Sequence, residues 1–280
     1  MVTEKSKSRY LLDFLKYASL VIAVFVVLFP PYIIVVNAFK TKEEFTTKST
    51  LSLPDSFLNF DNFIQAFKQA DLGLAFGNTL IIMAVTLALN ILLGSAFCYA
   101  VGRLNFKGKG FVIGLFLFAT IIPQITTQVV NFKTIQGIGL TNNLMGPVLL
   151  YIGADIMQIY IYLQFIRNIP EELDESAMME GASLFKIYRS IIFPLLAPAT
   201  ATIVILKTIA IYNDMFVPYL YLPRQEHVVV STSLMRFFGV NSGDWQMISS
   251  AILMIMIPTA LLYLFLQKYI FEGVTSGAVK

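Results

Sequence analysis

Residues 74–101 read LAFGNTLIIMAVTLALNILLGSAFCYAV, a stretch without one charged side chain. An α-helix needs roughly 20 apolar residues to cross ~30 Å of hydrocarbon. This run exceeds that length, which predicts a transmembrane helix able to tilt or to project beyond the bilayer. Further continuous apolar runs lie on either side of it, at about 17–38, 111–130, 146–166, 192–212 and 247–268. A membrane β-barrel would instead show ~10-residue segments of alternating polarity. The pattern is that of an all-α integral membrane protein with six transmembrane helices. Residues 1–280 read as a single domain, without a linker, an internal repeat or a soluble module.

Composition agrees with that pattern. Of 280 residues, 57% are hydrophobic and 13% charged, about half the ~25% charge of soluble domains and too little to coat a soluble surface. The 24 Phe and 13 Tyr exclude a disordered chain, and a single cysteine excludes a disulfide scaffold. The first run is too long for the h-region of a signal peptide, and Lys40 and Lys42 follow it in place of a cleavage site. It reads as a retained span, bent at Pro30-Pro31 where two backbone donors are missing.

Six spans put both termini on one side. Twelve of the 20 Lys and Arg fall on the side of the termini, seven on the other, and Lys207 lies inside a span. The positive-inside rule then places the N- and C-termini in the cytoplasm. On the outer side, Phe60, Phe63, Ile64 and Phe67 form the stripe of an amphipathic helix. Such a helix lies on the membrane or bundle surface, or docks a partner. The outer segment 213–246, with Pro218, Pro223, Gly239 and Gly243, reads as an irregular loop holding short pieces of structure.

Reactive chemistry is scarce. One histidine, His227, and one cysteine, Cys98, exclude His/Cys metal clusters and Cys–His pairs. No metal site is expected, no catalytic residue, no cofactor bound by this chain and no nucleic-acid partner. The nearest approach to a nucleotide-binding loop, Gly102 to Gly110, has five residues between its glycines where four are required. Any energised work must draw on an ion gradient or on another chain.

The most informative loop is residues 167–198, RNIPEELDESAMMEGASLFKIYRSIIFPLLAP. Pro170 suits the first position of a helix, and Glu171, Glu172, Asp174 and Glu175 suit the positive end of its dipole. Gly181 supplies the left-handed residue that ends it. A second amphipathic helix follows, with Phe185, Ile187 and Tyr188 near its start, and Pro194 and Pro198 lead into the fifth span. Local physics alone also fits an ordinary solvated helix-turn-helix. The spacing Glu175-Ser176-Ala177, three residues, Gly181, nine residues, Ile191, one residue, Phe193-Pro194 closely resembles the EAA loop of ABC-importer permeases. The departures are Ser176 for Ala, Phe193 for Leu and Glu180 where Asp is commoner. Residues 59–80 (NFDNFIQAFKQADLGLAFGNTL), 138–146 (IGLTNNLMG) and 212–218 (YNDMFVP) resemble further stretches of carbohydrate-uptake permeases, with Tyr212 where Trp is usual. The tail 267–280 resembles the C-terminus of the MalG-type half of those permeases.

The resemblance implies a type I ABC-importer permease fold and a function as one transmembrane half of an ATP-driven sugar importer. The implied partners are a second, homologous permease subunit, a dimeric cytoplasmic ATPase that carries ATP and Mg²⁺, an extracellular solute-binding protein, the sugar and the lipid bilayer. The docking loop, within residues 167–191, would present Glu175, Ser176, Ala177, Glu180, Gly181, Ala182 and Phe185 to the ATPase, with Pro194 beyond it. A path for a neutral sugar needs amides and aromatic rings, and the spans supply Asn90, Gln124, Gln128, Gln158, Gln164, Tyr160, Tyr162 and Tyr212, with Asn213 and Asp214 at a span end. Asp155 and Lys207 are the ionisable residues deepest in spans, and either face each other or sit nearer an interface. Other readings are a permease for a polyol or glycerol phosphate, and an ion-coupled secondary transporter. Against the latter stands the expected absence of interrupted, Gly/Pro-broken helices.

Overall fold

The computed structural model describes residues 7–237 and 243–275, with side chains for residues 12–123, 125–237 and 243–265. No strand occurs among them. The chain groups into two compact units, Met1–Ala70 with Leu234–Pro258, and Asp71–Ser233 with Thr259–Lys280, where the sequence reads as a single domain.

The first unit opens on α1 (Lys7–Ala38), which passes through Pro30 and Pro31 without ending. Its side chains from Leu15 to Leu28 are almost all exposed, as a span facing lipid requires. The carbonyls at its C-terminus have no helical partners, and side chains supply them. Asn62 donates its amide to the carbonyls of Ala38 and Lys40 at 2.9 and 2.7 Å, and Asn37 donates to Thr50 at 2.9 Å. The fully buried Lys40 ammonium donates to Asn37 Oδ1 at 3.0 Å and to the Ser49 carbonyl at 2.8 Å. Burial pushes that ammonium below its usual range, against the pull of Glu44.

A capping box starts α2 (Lys42–Thr47), with Thr41 and Glu44 bonded reciprocally. Backbone donation from Thr41 and then Asp55 brings the Glu44 carboxyl down to about 2. Its folded value lies below the unfolded one, so its stabilisation is complete above the ordinary carboxylate range and drains away as pH falls through 2. The expected amphipathic helix is α3 (Asp61–Gln69). It buries Asn62 and Ala66 and turns Phe60, Ile64 and Phe67 outward, the reverse of a soluble amphipathic helix.

The second unit is built on α4 (Leu72–Arg103), an unbroken 32-residue helix. The elements after it are α5 (Lys109–Ile121), α6 (Gln124–Gly137), α7 (Met145–Tyr151), α8 (Ile156–Asn168), α9 (Glu172–Met179), α10 (Leu184–Ile187), α11 (Phe193–Leu195), α12 (Ala197–Asn213), α13 (Phe216–Tyr221) and α14 (Val230–Ser233). The last helix, α15 (Trp245–Thr275), belongs to the first unit as far as Pro258. The short helices between residues 216 and 233 match the irregular loop read from the sequence.

Among the described residues, three helices are long and apolar enough to cross a membrane unaided: α1 from Leu12, α4, and α15 to Phe265. Three further apolar runs fall on bent helix pairs, which corrects the expectation that Gly/Pro-interrupted helices are absent. The run 111–130 breaks at Pro123, with a bend of 108° between α5 and α6. Pro123 lacks the N–H that would continue α5, and its ring collides with the preceding turn. The run 146–166 bends by 53° between α7 and α8, at Gly153 and the extended Asp155. The run 192–212 bends by 72° after α11, where Pro194 and Pro198 each remove a backbone donor. A π-type turn at Tyr188–Ile192 precedes it.

One apolar core lies between α4, α8, α9 and α12. Cys98, Tyr162, Ile166, Ile187, Ile192 and Ala199 meet there, so Cys98 is a packing residue.

Candidate functional site

The break in the fourth run opens onto a cleft of about 780 Å³. Residues of α6 (Gln128, Asn131), of the α7–α8 break (Tyr151, Gly153, Asp155, Gln158) and of α12 (Ile203, Leu206, Lys207) line it, with Asp214 at its edge. Two opposite charges meet inside. Lys207 Nζ lies 2.8 Å from Asp155 Oδ2 and 3.4 Å from the Gly153 carbonyl. Asp155 has a second task, because its Oδ1 caps α8 by accepting from the Gln158 N–H at 2.8 Å. At the edge, Tyr151 donates to Asp214 Oδ2 at 2.7 Å, while Asp214 Oδ1 accepts from the N–H of Phe216 at 2.8 Å.

The break is held from behind by α4. Breaking a helix leaves carbonyls at the end of its first half without donors. Asn90 answers two of them, donating its amide to Ile152 and Gly153 at 3.0 Å each. Gln158 returns the contact by donating to the Asn90 carbonyl at 3.1 Å. Gly94 makes that approach possible, since a Cβ there would overlap the Gln158 amide.

Of the path residues read from the sequence, Gln128, Asp155, Gln158 and Asp214 come together in this cleft. Tyr212 is buried and hydrogen-bonds Thr259 instead. Asn213 is exposed and turns back onto its own helix, donating to Ile209 at 2.9 Å. The side chain of Gln124 lies outside the described residues, as do those of the tail from residue 266 on. Tyr162 packs in the core, bonded to Thr200 at 3.1 Å, and Tyr160 is exposed.

The second constellation is the loop between α8 and α12. Helix α9 ends in a Schellman motif: Ala182 N–H reaches the Ala177 carbonyl and Gly181 N–H the Met178 carbonyl, both at 2.9 Å. Gly181 has φ +82°, a conformation costly for any residue with a Cβ. Ala177 is buried and Ala182 packs against the core. Glu175, Ser176, Glu180, Phe185 and Pro194 are exposed, and the Ser176 hydroxyl bonds back to Glu172 at 2.7 Å. Around them the loop also shows Met178, Leu184 and, most of all, Met179 and Phe185, 89% and 69% exposed. Carboxylates beside an uncovered apolar tip describe a surface built to be covered.

Sequence reading missed what holds this loop. Arg103, in the last turn of α4, has a side chain only 7% exposed and lies 3.2 Å from Asp174 Oδ2 and 3.4 Å from Glu171. One turn back, Tyr99 donates to Asp174 Oδ1 at 3.1 Å. Another turn back, the hydroxyls of Ser95 and Tyr188 meet at 2.8 Å. Positions 95, 99 and 103 repeat at i+4 and share one face of α4. That repeat is visible in the sequence, but Asp174 already has a sufficient local explanation at the start of α9, and nothing local points to Arg103.

Over 253 residues the chain is 34% identical to the melibiose/raffinose/stachyose import permease protein MelC of Bacillus subtilis, covering 90% of this chain and 91% of that protein. The chain belongs to the permease subunits of carbohydrate-uptake ABC importers. It is also 32% identical over 209 residues to the trehalose/maltose transport system permease protein MalG of Thermococcus litoralis, covering 72% of the permease and 74% of its relative. Its fold matches a chain in the crystal structure of a bacterial ABC transporter involved in the import of the acidic polysaccharide alginate. That match has a TM-score of 0.84 at 20% identity and covers 95% and 98% of the two chains. No family model matches the sequence. The permease is of the MalG-type half.

Proposed function

We propose that this permease is the membrane-spanning half of an ATP-driven importer that carries a di- or oligosaccharide into the cytoplasm. It works beside a second, homologous permease subunit, on a dimeric cytoplasmic ATPase that binds ATP and Mg²⁺, and receives sugar from an extracellular solute-binding protein. Both termini and the α9 loop lie in the cytoplasm, and the six spans are three unbroken helices and three bent pairs. One observation carries the reading: the exposed Met179–Phe185 tip sits on a capped helix joined by a short connection to α8, and through α10, the π-type turn and α11 to α12, the helices that line the cleft. When the ATPase closes on nucleotide it moves that tip, and the movement passes into both cleft walls.

The cleft suits an uncharged polyhydroxyl solute. Its amides (Gln128, Asn131, Gln158) donate and accept, and Lys207 is already neutralised by Asp155. The test is a coupled assay on the purified importer in liposomes. Gly181→Val strains the positive-φ turn, and Glu175→Lys reverses a charge on the docking face. Each is expected to leave the permease assembled while ATP hydrolysis no longer yields uptake. Normal transport by both variants would sink the assignment.

The interrupted fourth span with Asp155 and Lys207 at its break favours a second reading, an ion-coupled transporter whose site lies at a broken helix. Uptake that persists without ATP and collapses with a proton or Na⁺ gradient would establish it.

A further inference from the structure

Helix α9 has eight residues, too few to be stable in isolation, and it is flanked by the connections 169–171 and 180–183. Such a helix transmits a push only if it is fixed to something stiff. Tyr99 and Arg103 fix it to α4 through Asp174, whose side chain is only 10% exposed. Two charges this dry are costly to separate, since each would be left buried without its counter-ion. The pair therefore holds as long as α9 stays seated against α4.

The same helix, on another of its faces, also reaches the cleft. From Arg103 back to Asn90 is 13 residues, a rigid arm of about 20 Å at the rise of an α-helix. At its far end Asn90 grips the Ile152 and Gly153 carbonyls at the break beside Asp155.

We propose that Tyr99, Arg103 and Asp174 are positioning residues that latch the docking helix α9 onto the second span, so that its movement reaches the break in the fourth span through α4 as well as through the chain connections to α8 and α12. The inference rests on the docking of α9 by an ATPase. It adds a second mechanical route and names the residues that make it.

The experiment measures sugar taken up per ATP hydrolysed by the complete importer in liposomes, with its partner subunits and binding protein. The double variant Arg103→Met with Asp174→Asn removes both charges together, so neither is orphaned. It is expected to assemble and to hydrolyse ATP, with uptake per ATP lowered about tenfold, a size typical of residues along a coupling route. Asp174→Glu, which keeps the charge, should recover most of the ratio, and Tyr99→Phe should lower it by a smaller factor. A double variant with the wild-type ratio overturns the latch, as does a loss that Asp174→Glu fails to recover. If the double variant does not assemble, Tyr99→Phe decides, because it keeps both charges; an unchanged ratio then overturns the latch. A wild-type permease that never co-purifies with an ATPase overturns the docking reading itself, and the two failures are distinct.

Discussion

Two ion pairs of the second unit, Arg103–Asp174 and Lys207–Asp155, differ in how much water they see. Arg103–Asp174 is nearly dry at both ends, 7% and 10% exposed, while in Lys207–Asp155 the carboxylate is 50% exposed. The dry pair joins α4 to a short helix outside the spans, and the wetter pair faces a cleft. Burial decides what each can do. A dry pair is expensive to open and so suits a joint that must not slip, whereas a solvated pair contributes little net stability and can exchange its partner for a passing hydroxyl.

The sharpest way to break this contrast is Asp174→Leu. It leaves Arg103 buried without its nearest counter-charge, at a cost of roughly 3 kcal/mol. The lower end of the range is expected because Glu171 remains 3.4 Å away. Thermal unfolding of the detergent-solubilised protein measures it. Lys207→Met, measured side by side, should shift stability by less than about 1 kcal/mol, and equal costs for the two substitutions would erase the distinction.

Gly94→Ala comes next. It places a methyl group where the Gln158 amide lies, an overpacking cost of about 1–3 kcal/mol. Gln158→Ala in the same chain should recover part of that cost, whereas strictly additive losses would mean that the two residues do not touch.

The smallest effect separates the two tasks of Asp155. Asp155→Ala removes the cap of α8 and should cost about 1 kcal/mol, while Asp155→Asn keeps the cap and should stay within a few tenths of a kcal/mol. Both lose the charge facing Lys207, so a difference between them in stability, with similar changes in uptake, assigns the cap to folding and the charge to the cleft.

Much of this was legible in the chain. Apolar runs coincide with the three unbroken candidate spans and the three bent pairs, because burial in lipid leaves a signal in composition that no neighbour is needed to read. The loop was legible for a different reason: helix-dipole acids, a left-handed glycine and fixed spacing are all local. Breaks were harder. Gly153 followed by Asp155 is a start signal for a new helix, yet a window of twenty residues averages it away, and the expectation of uninterrupted spans failed there. Arg103 and Asp174 lie on different elements far apart in sequence, and only packing makes them a pair. The cleft was half legible. Gln128, Asp155, Gln158 and Asp214 converge on it, but Tyr212 points into the protein, because the rotation of a helix that is apolar all round cannot be read from its own residues.

The polar side chains spaced along α4 also bear on the order in which the chain is assembled. Asn78 holds the carbonyls of Glu226 and Val228, Asn90 those at the break, and Arg103 helix α9. In lipid, apolar surfaces give helices little reason to prefer each other over acyl chains, and side-chain hydrogen bonds with close packing choose the partners. Helix α4 is straight and apolar enough to insert alone, whereas each bent span needs a donor for the carbonyls it leaves open. On that physical argument α4 would act as the template against which the later elements are sorted, and loss of these side chains would surface first as a failure of biogenesis.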